Sequence, residues 1–281
     1  MPDRGSRVTR FAQRGSARLA YEATGEPGAR LVVALHDLLA DRASLAPLRD
    51  ALLAAGFRVV VPDLRGHGAS AAIAATTLSM ADLTTDLLAV LDAETDGAAD
   101  VVGHGLGGAL GLALAEIVPA RVRSLALLEP AVAGILAADP DLLSRDAAAR
   151  VRDAAREASD LAGRGQSDRA LDRWLEPRRG RGWRDRLSRA QLGAVRRHAA
   201  ALGPILAAES THAPRPEGLA DLSAPTLLLR LADAPALDRA VAERLAAIPG
   251  ARSVVLAPSV APLADPALAE AIVAFVRSVP A

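Results

Sequence analysis

VVGHGLGG, residues 101–108, joins a short apolar run to ALGLALAEI, residues 109–117, a stretch with the composition of a buried helix. A strand, a glycine-rich corner and a helix follow one another here within twenty residues. Glycines at 103, 107 and 108 leave room for the strand and helix to approach closely. Gly105 stands at the tip of the corner, where the lack of a Cβ removes the usual penalty for positive φ.

The same rhythm extends in both directions. Residues 8–12 and 17–22 predict an opening hairpin, 31–35 (LVVAL) a buried strand, 44–56 a helix and 58–62 (RVVVP) another buried strand. A helix near 81–93, strands at 99–103 and 124–128, and a helix at 106–117 continue it. Short apolar runs alternating with amphipathic helices predict an α/β fold with a mostly parallel sheet flanked by helices. From 131 to 218 the chain is rich in Ala, Arg and Asp, helical in period and without a convincing strand; it holds both tryptophans, Trp174 and Trp183. The sheet pattern resumes with a strand at 225–230, a helix at 236–248, a strand at 252–257 and a last helix at 266–278. The expected organisation is therefore a core of residues 1–130 and 219–281, with 131–218 inserted as a helical lid over the carboxyl ends of the strands.

The 281 residues are 51% hydrophobic and 23% charged, enough for one large core plus an insertion. Basic and acidic residues balance at 33 each, which removes a global electrostatic argument for nucleic acid or an anionic membrane. There is no cysteine, so disulfides, thiolate nucleophiles and sulfur-ligated metals are excluded. No apolar run approaches the roughly 20 residues a membrane span needs, and MPDRGSRVTR lacks a secretory apolar core, so the expected location is the cytoplasm.

Taken together, LVVALHDLLADRASLAPL from 31, GFRVVVPDLRGHGAS from 56, VVGHGLGGALGLALAEIVPARVRSLALLEP from 101 and PTLLLR from 225 resemble an α/β-hydrolase of the lid-bearing, esterase and peroxidase-like branch. The resemblance implies a G-x-S-x-G corner with an exposed nucleophile, and here the nucleophile position is Gly105. It places the general base after the last strand, at Val260. Both groups are missing, so it implies a degenerate triad; Asp233, in the region of the family's acid, would have nothing to orient and reads as a solvated or capping carboxylate. The backbone amides of Leu38 and Leu106 would form the oxyanion hole.

Two carboxylates then become the candidate catalytic groups. Asp37 follows His36 where the family shows His-Gly; it either performs acid–base chemistry, binds a ligand or makes a local contact, and it could itself occupy the oxyanion-hole donors. Glu129 ends the strand after the corner helix and is either pocket-facing or part of a buried polar network. His36, His104, Trp174 and Trp183 are candidate pocket residues, while His67 and His104 also read as hydrogen-bonded structural histidines. The five histidines form no HExxH-like set, so no metal is expected. Gly103 to Gly108 also fits G-x-G-x-x-G, but it lies on the fifth strand and Glu129 falls 26 residues after Gly103, where a dinucleotide site has its acid near 20. No cofactor is expected. Between 145 and 197 there are 15 arginines against 8 acids, a solvated face or a surface for an anion or partner. The expected function is a noncovalent step on an apolar small molecule, such as isomerisation, cyclisation or elimination; the alternatives are a noncatalytic binding or interaction protein, and a residual atypical hydrolase.

Overall fold

The computed structural model describes residues 8–73, 78–211, 216–259 and 261–280, with the backbone alone at 210, 211, 216 and 217. Its strands are β1 (Thr9–Arg14), β2 (Ala17–Thr24), β3 (Leu31–Leu35), β4 (Arg58–Pro62), β5 (Ala99–His104), β6 (Val122–Leu128), β7 (Thr226–Leu231) and β8 (Arg252–Leu256). They form one sheet in the order β1-β2-β4-β3-β5-β6-β7-β8. β2 runs antiparallel to both neighbours, and every other pairing from β4 to β8 is parallel. The helices of the core are α1 (Ala46–Ala54), α2 (Met80–Asp92) and α3 (Leu106–Ile117). The segment between β6 and β7 carries α4 (Leu142–Gly163), α5 (Ser167–Arg179), α6 (Arg189–Arg197), α7 (Ala199–Thr211) and α8 (Pro216–Ala220), and the chain closes with α9 (Ala236–Leu245) and α10 (Pro266–Ser278).

Because side chains alternate across a strand, the apolar runs serve two faces at once. Val32, Ala34, Val59, Val61, Val102 and Leu227 pack beneath α1 and α10, against Leu48, Leu52, Leu268 and Ile272. Val33, Leu35, Val60, Val101 and Leu125 face the other way, into a core shared with α2, α3 and the inserted helices. Predicted element types hold along the chain, and the edges move slightly. β6 begins at Val122, and the helix expected from 44 opens with a 3-10 turn, Arg42–Leu45, whose first amides Asp41 caps. Between β6 and β7 no strand occurs among the described residues.

The corner at 103–108 owes its glycines to packing. A Cβ on Gly103 would overlap the Gly107 carbonyl, one on Gly107 would overlap the Leu35 carbonyl, and one on Gly108 would stand 2.9 Å from the Pro130 Cβ. Close packing at this corner thus accounts for Gly103, Gly107 and Gly108.

In the insertion, α4 packs on α5 and α7. Gly203 permits the α4–α7 approach, since its Cβ would come within 3.1 Å of the Ala162 Cβ, and Ser159 Oγ donates to the Gly203 carbonyl at 3.0 Å. No helix among the described residues is long and apolar enough to cross a membrane.

Candidate functional site

The carboxyl ends of β3 and β5 bring Asp37 and Gly105 together. Gly105 has φ 52 and ψ −115, a conformation that side chains resist, and hands the chain directly into α3. Asp37 Oδ1 accepts a hydrogen bond from the Leu38 amide at 2.7 Å and a second from the Leu106 amide at 2.9 Å. These are the two donors the resemblance assigns to an oxyanion, and the Asp37 carboxylate holds both. A Cβ on Gly105 would lie 2.8 Å from Asp37 Oδ2 and closer still to its Cγ and Oδ1. The carboxylate therefore fills the volume that a side chain at 105 would need. Its Oδ2 accepts no hydrogen bond from any described residue, and Asp37 is only half-buried.

Three histidines fix the loop that carries Asp37. His36 Nε2 accepts from the Leu64 amide at 3.0 Å, His67 Nε2 from the Leu39 amide at 3.3 Å, and His198 Nε2 from the Gly68 amide at 3.1 Å. Each Nδ1 faces a carbonyl, of Asp37 at 2.8 Å, Arg65 at 3.1 Å and Leu39 at 3.4 Å respectively. That pattern assigns the neutral Nδ1–H tautomer to all three rings. The rings are buried and adjacent, with centroids 5.1 Å apart for His36 and His67 and 5.2 Å for His67 and His198. Leu39, at φ 65, is gripped by its amide and its carbonyl at once. Burial pushes His36 and His67 below the ordinary imidazole value, and the neighbouring rings push His67 further. His198 belongs to the insertion, so the ladder ties that insertion to the Asp37 loop.

Glu129 follows β6 at φ 44; its Oε1 accepts the Leu231 amide at 3.1 Å, and its own amide donates to the Leu229 carbonyl at 3.1 Å. It braces the ends of β6 and β7, and its charge reaches Asp238 on α9. Asp238 is pushed up to about 6, chiefly by burial and next by Glu129, against the pull of Arg178. Glu209 on α7 is pushed up to about 8 by burial and by the charge of Asp37, again against Arg178. Its Oε1 is shut off from solvent and has no hydrogen-bond partner among the described residues. Sequence reasoning named neither Glu209 nor Asp238. A signal existed for Glu209, the one ionisable side chain in Ala199–Ser210, whereas Asp238 looks like any first-turn helix acid.

The other expected pocket residues separate. His36 has both ring nitrogens committed to backbone, so it supports the loop and is not free for a ligand. His104 ends β5 half-buried, and its ring makes no hydrogen bond among the described residues. Trp174 is 8% exposed, and the Arg178 guanidinium stacks on its ring at 3.4 Å. Trp183 is buried, with its indole N–H donating to Asp172 Oδ1 at 3.1 Å. Asp233 is exposed, and Val260 lies outside the described residues.

Much of the arginine-rich stretch is spent internally. Arg184 binds Asp168 and Asp172, and Arg186 caps the carbonyls of Arg179, Gly180 and Arg181. Among the described residues no group of three or more His, Asp or Glu side chains is arranged to hold a metal ion. A cavity of about 440 Å³ at the opposite end of the sheet is lined by Arg30, Arg58 and Arg123. These cations are paired to Asp100 and Glu94, which leaves no free charge there for an anion.

Residues 30–259 match the profile of the alpha/beta hydrolase fold family, and the chain belongs to that family. The RutD protein of Variovorax paradoxus, named for a carbamate hydrolase, is 40% identical over 110 residues, covering 39% of this chain and 41% of that protein. The chain thus aligns with about two fifths of this relative's length. An alpha/beta hydrolase from Sphaerobacter thermophilus superposes with a TM-score of 0.75 at 25% identity, covering 96% of this chain and 100% of its own. A thermophilic esterase from Thermogutta terrifontis gives 0.75 at 22%, with 97% and 98% covered; at that identity the likeness concerns the fold.

Proposed function

We propose that this α/β-hydrolase-fold protein is an enzyme with a degenerate triad, working by noncovalent acid–base chemistry on an apolar small molecule held between the strand ends and the helical insertion, which acts as a lid. The observation that carries this reading is the Asp37 carboxylate seated on the Leu38 and Leu106 amides, in the volume a residue-105 side chain would occupy. Serine-type acyl transfer needs a hydroxyl at that corner and two donors open to the substrate oxygen. Gly105 offers no hydroxyl, and the donors are engaged.

Asp37 Oδ2 is then the proton acceptor. Glu209, whose carboxyl holds its proton up to about pH 8, is the donor, and Asp238, near 6, exchanges protons with solvent around neutrality. Glu129 positions the β6 and β7 ends. A proton acceptor on the loop after β3 and a proton donor on α7 suit proton transfer at carbon: isomerisation, elimination or cyclisation. The hydrolase names of the relatives favour hydrolysis by a water that one of these carboxylates activates, which uses the same groups. A noncatalytic binding role is the second reading, favoured by the carboxylate that satisfies the oxyanion hole without any substrate.

The test has two parts. A fluorophosphonate probe and an activated ester should give neither labelling nor a burst, and labelling within the corner would refute the loss of serine chemistry. A panel of cyclic ketones and enolisable esters incubated in deuterated water should show protein-dependent exchange at carbon that Asp37→Asn abolishes with binding retained. Exchange at the parental rate in that variant would remove Asp37 from catalysis. Binding with no exchange by the parent protein would favour the noncatalytic reading.

A further inference from the structure

We propose that His198 is a proton-operated latch: neutral, it docks the helical insertion on the loops after β3 and β4, and protonated, it turns to Asp41 and lets the insertion part from them. The inference concerns motion and holds whatever chemistry Asp37 performs. Among the described residues, every hydrogen bond or ion pair between insertion residues 142–211 and the core at 8–130 and 219–280 passes through this one ring. Its Nε2 accepts the Gly68 amide at 3.1 Å, its Nδ1 faces the Leu39 carbonyl at 3.4 Å, and Asp41 Oδ2 lies 3.7 Å from Nε2. Beside the ring the contact is apolar and close, since a Cβ on Gly66 would stand 2.9 Å from that of Ala201.

Neutral and charged imidazole need different partners. With the proton on Nδ1, Nε2 carries the lone pair that the Gly68 N–H requires; once Nε2 is protonated, two N–H groups confront each other and that bond is lost. A buried charged ring is costly without a partner, and the Asp41 carboxylate is the group that answers it. Among the described residues, His198 is the one ring of the ladder with a carboxylate in ion-pair reach. Burial holds His36 and His67 below the ordinary imidazole value, so they stay neutral while His198 changes state. The other charges nearby are committed: Asp63 to Arg42, Arg65 to Asp86, and Asp37 to the Leu38 and Leu106 amides. Arg196 and Arg197, which precede His198 on α6, are exposed. Asp41 caps the Ala43 amide through Oδ1, which leaves Oδ2 for the ring.

The turn to Asp41 also takes the Nδ1–H away from the Leu39 carbonyl. Leu39 stands at φ 65, a conformation a leucine keeps only under constraint, and it is held there by His67 at its amide and His198 at its carbonyl. Loss of one hold lets the residue relax, and Leu38, whose amide seats Asp37, moves with it. One proton on the insertion is thereby felt at the strand ends through two adjacent residues.

The chain has no cysteine, so a nitroxide pair at Ala69→Cys and Ala200→Cys, both exposed positions flanking the joint, reports the distance across it. Double electron–electron resonance from about pH 8 to about pH 5 should show one distance at neutrality and a second, longer one in acid. Their ratio should change about tenfold per pH unit, as one proton requires, and revert on neutralisation. Far-ultraviolet circular dichroism should stay constant over the same range. In the unlabelled chain, NMR should show the His198 ring and the Gly68 amide titrating together. Asp41→Asn, which keeps the cap, should lower the midpoint by about one pH unit, and His198→Gln should remove the pH dependence. A single distance at every pH overturns the proposal, as does a change that coincides with loss of helix, and so does an acid transition that survives in His198→Gln. The NMR titration needs no substitution: a His198 ring that stays neutral, or that titrates while the Gly68 amide is unmoved, overturns the proposal even where a variant fails to fold.

Discussion

Replacing Gly105 by alanine should destabilise the protein through Asp37, and a double-mutant cycle isolates that coupling. The new Cβ would lie 2.8 Å from Asp37 Oδ2 and nearer to the rest of the carboxylate, so the carboxylate must leave the Leu38 and Leu106 amides. A hydrogen bond to a charged group contributes about 1.5–3 kcal/mol. Asp37 is half-buried, and returning water offsets part of the loss, which leaves about 2 kcal/mol for the pair of bonds. Holding a side chain at the corner's φ of 52 and ψ of −115 costs a further ~1–3 kcal/mol. Gly105→Ala should therefore lose about 3–5 kcal/mol and Asp37→Ala about 2 kcal/mol. The double variant gives up the same two bonds only once, so it should also lose about 3–5 kcal/mol and show a coupling of about 2 kcal/mol. Urea unfolding near neutral pH, followed by circular dichroism, measures all three. Additivity within ~0.5 kcal/mol would mean that the carboxylate does not occupy the space above Gly105, and the reasoning built on that contact would fall.

The histidine ladder predicts acid sensitivity. His36 and His67 are neutral in the fold with values below the ordinary 6.5, so their contribution is complete above that value. It is lost as pH falls from 6.5 towards their lowered folded values, because the unfolded chain takes up protons first. The urea midpoint should fall below pH 6.5 with a slope that His67→Asn reduces by about one proton, and a flat profile would contradict the ladder. Glu209 acts in the opposite direction: with its folded value raised to about 8, stability is complete below the ordinary 4.5 and declines as pH rises through 8. Glu209→Gln should be more stable than the parent near pH 9, by on the order of 2 kcal/mol, and an unchanged midpoint there would show that the carboxyl is solvated. Glu129→Gln keeps an acceptor for the Leu231 amide but removes the charge facing Asp238, so it should fold normally and lower the Asp238 value when titrated by NMR. An unmoved Asp238 would separate the two carboxylates.

The architecture was legible because its main signals are local. LVVAL at 31–35, RVVVP at 58–62 and the corner at 101–108 are each too short and too apolar for a surface helix, and their spacing by amphipathic helices admits little besides a parallel sheet. The candidate role of Asp37 was legible for a related reason: it sits beside the oxyanion amides in sequence, and the possibility that it occupies them follows from that position. Glu209, Asp238 and Arg178 come from α7, α9 and α5, elements whose own patterns report only that they are helices. What makes these side chains chemically distinct is the field of groups remote in the chain, and no local periodicity carries that information. His198 was hidden in the same way, within an arginine-rich run that reads as a solvated face, although its ring is 4% exposed and bonds to the Leu39 and Gly68 backbone.

Gly105 and Asp37 are best understood as one feature. A glycine at the corner looks, in isolation, like the deletion of a functional group, and an aspartate beside the oxyanion amides looks like an obstruction. Their geometry makes each the condition of the other: the carboxylate has room only because residue 105 has no Cβ, and the Leu38 and Leu106 amides have a satisfied partner only because the carboxylate is there. The loop is held just as specifically, since three buried histidines commit six ring nitrogens to the backbone around it. A site that had merely decayed would need none of that bracing, because an unused hole can be filled by water at little cost. The buried imidazoles of His36 and His67 cost stability in acid, and with His198 they hold the loop that orients an Asp37 oxygen accepting no hydrogen bond from a described residue. Such bracing is what the proposed acid–base role of Asp37 requires, and the deuterium experiment decides whether that carboxylate moves a proton.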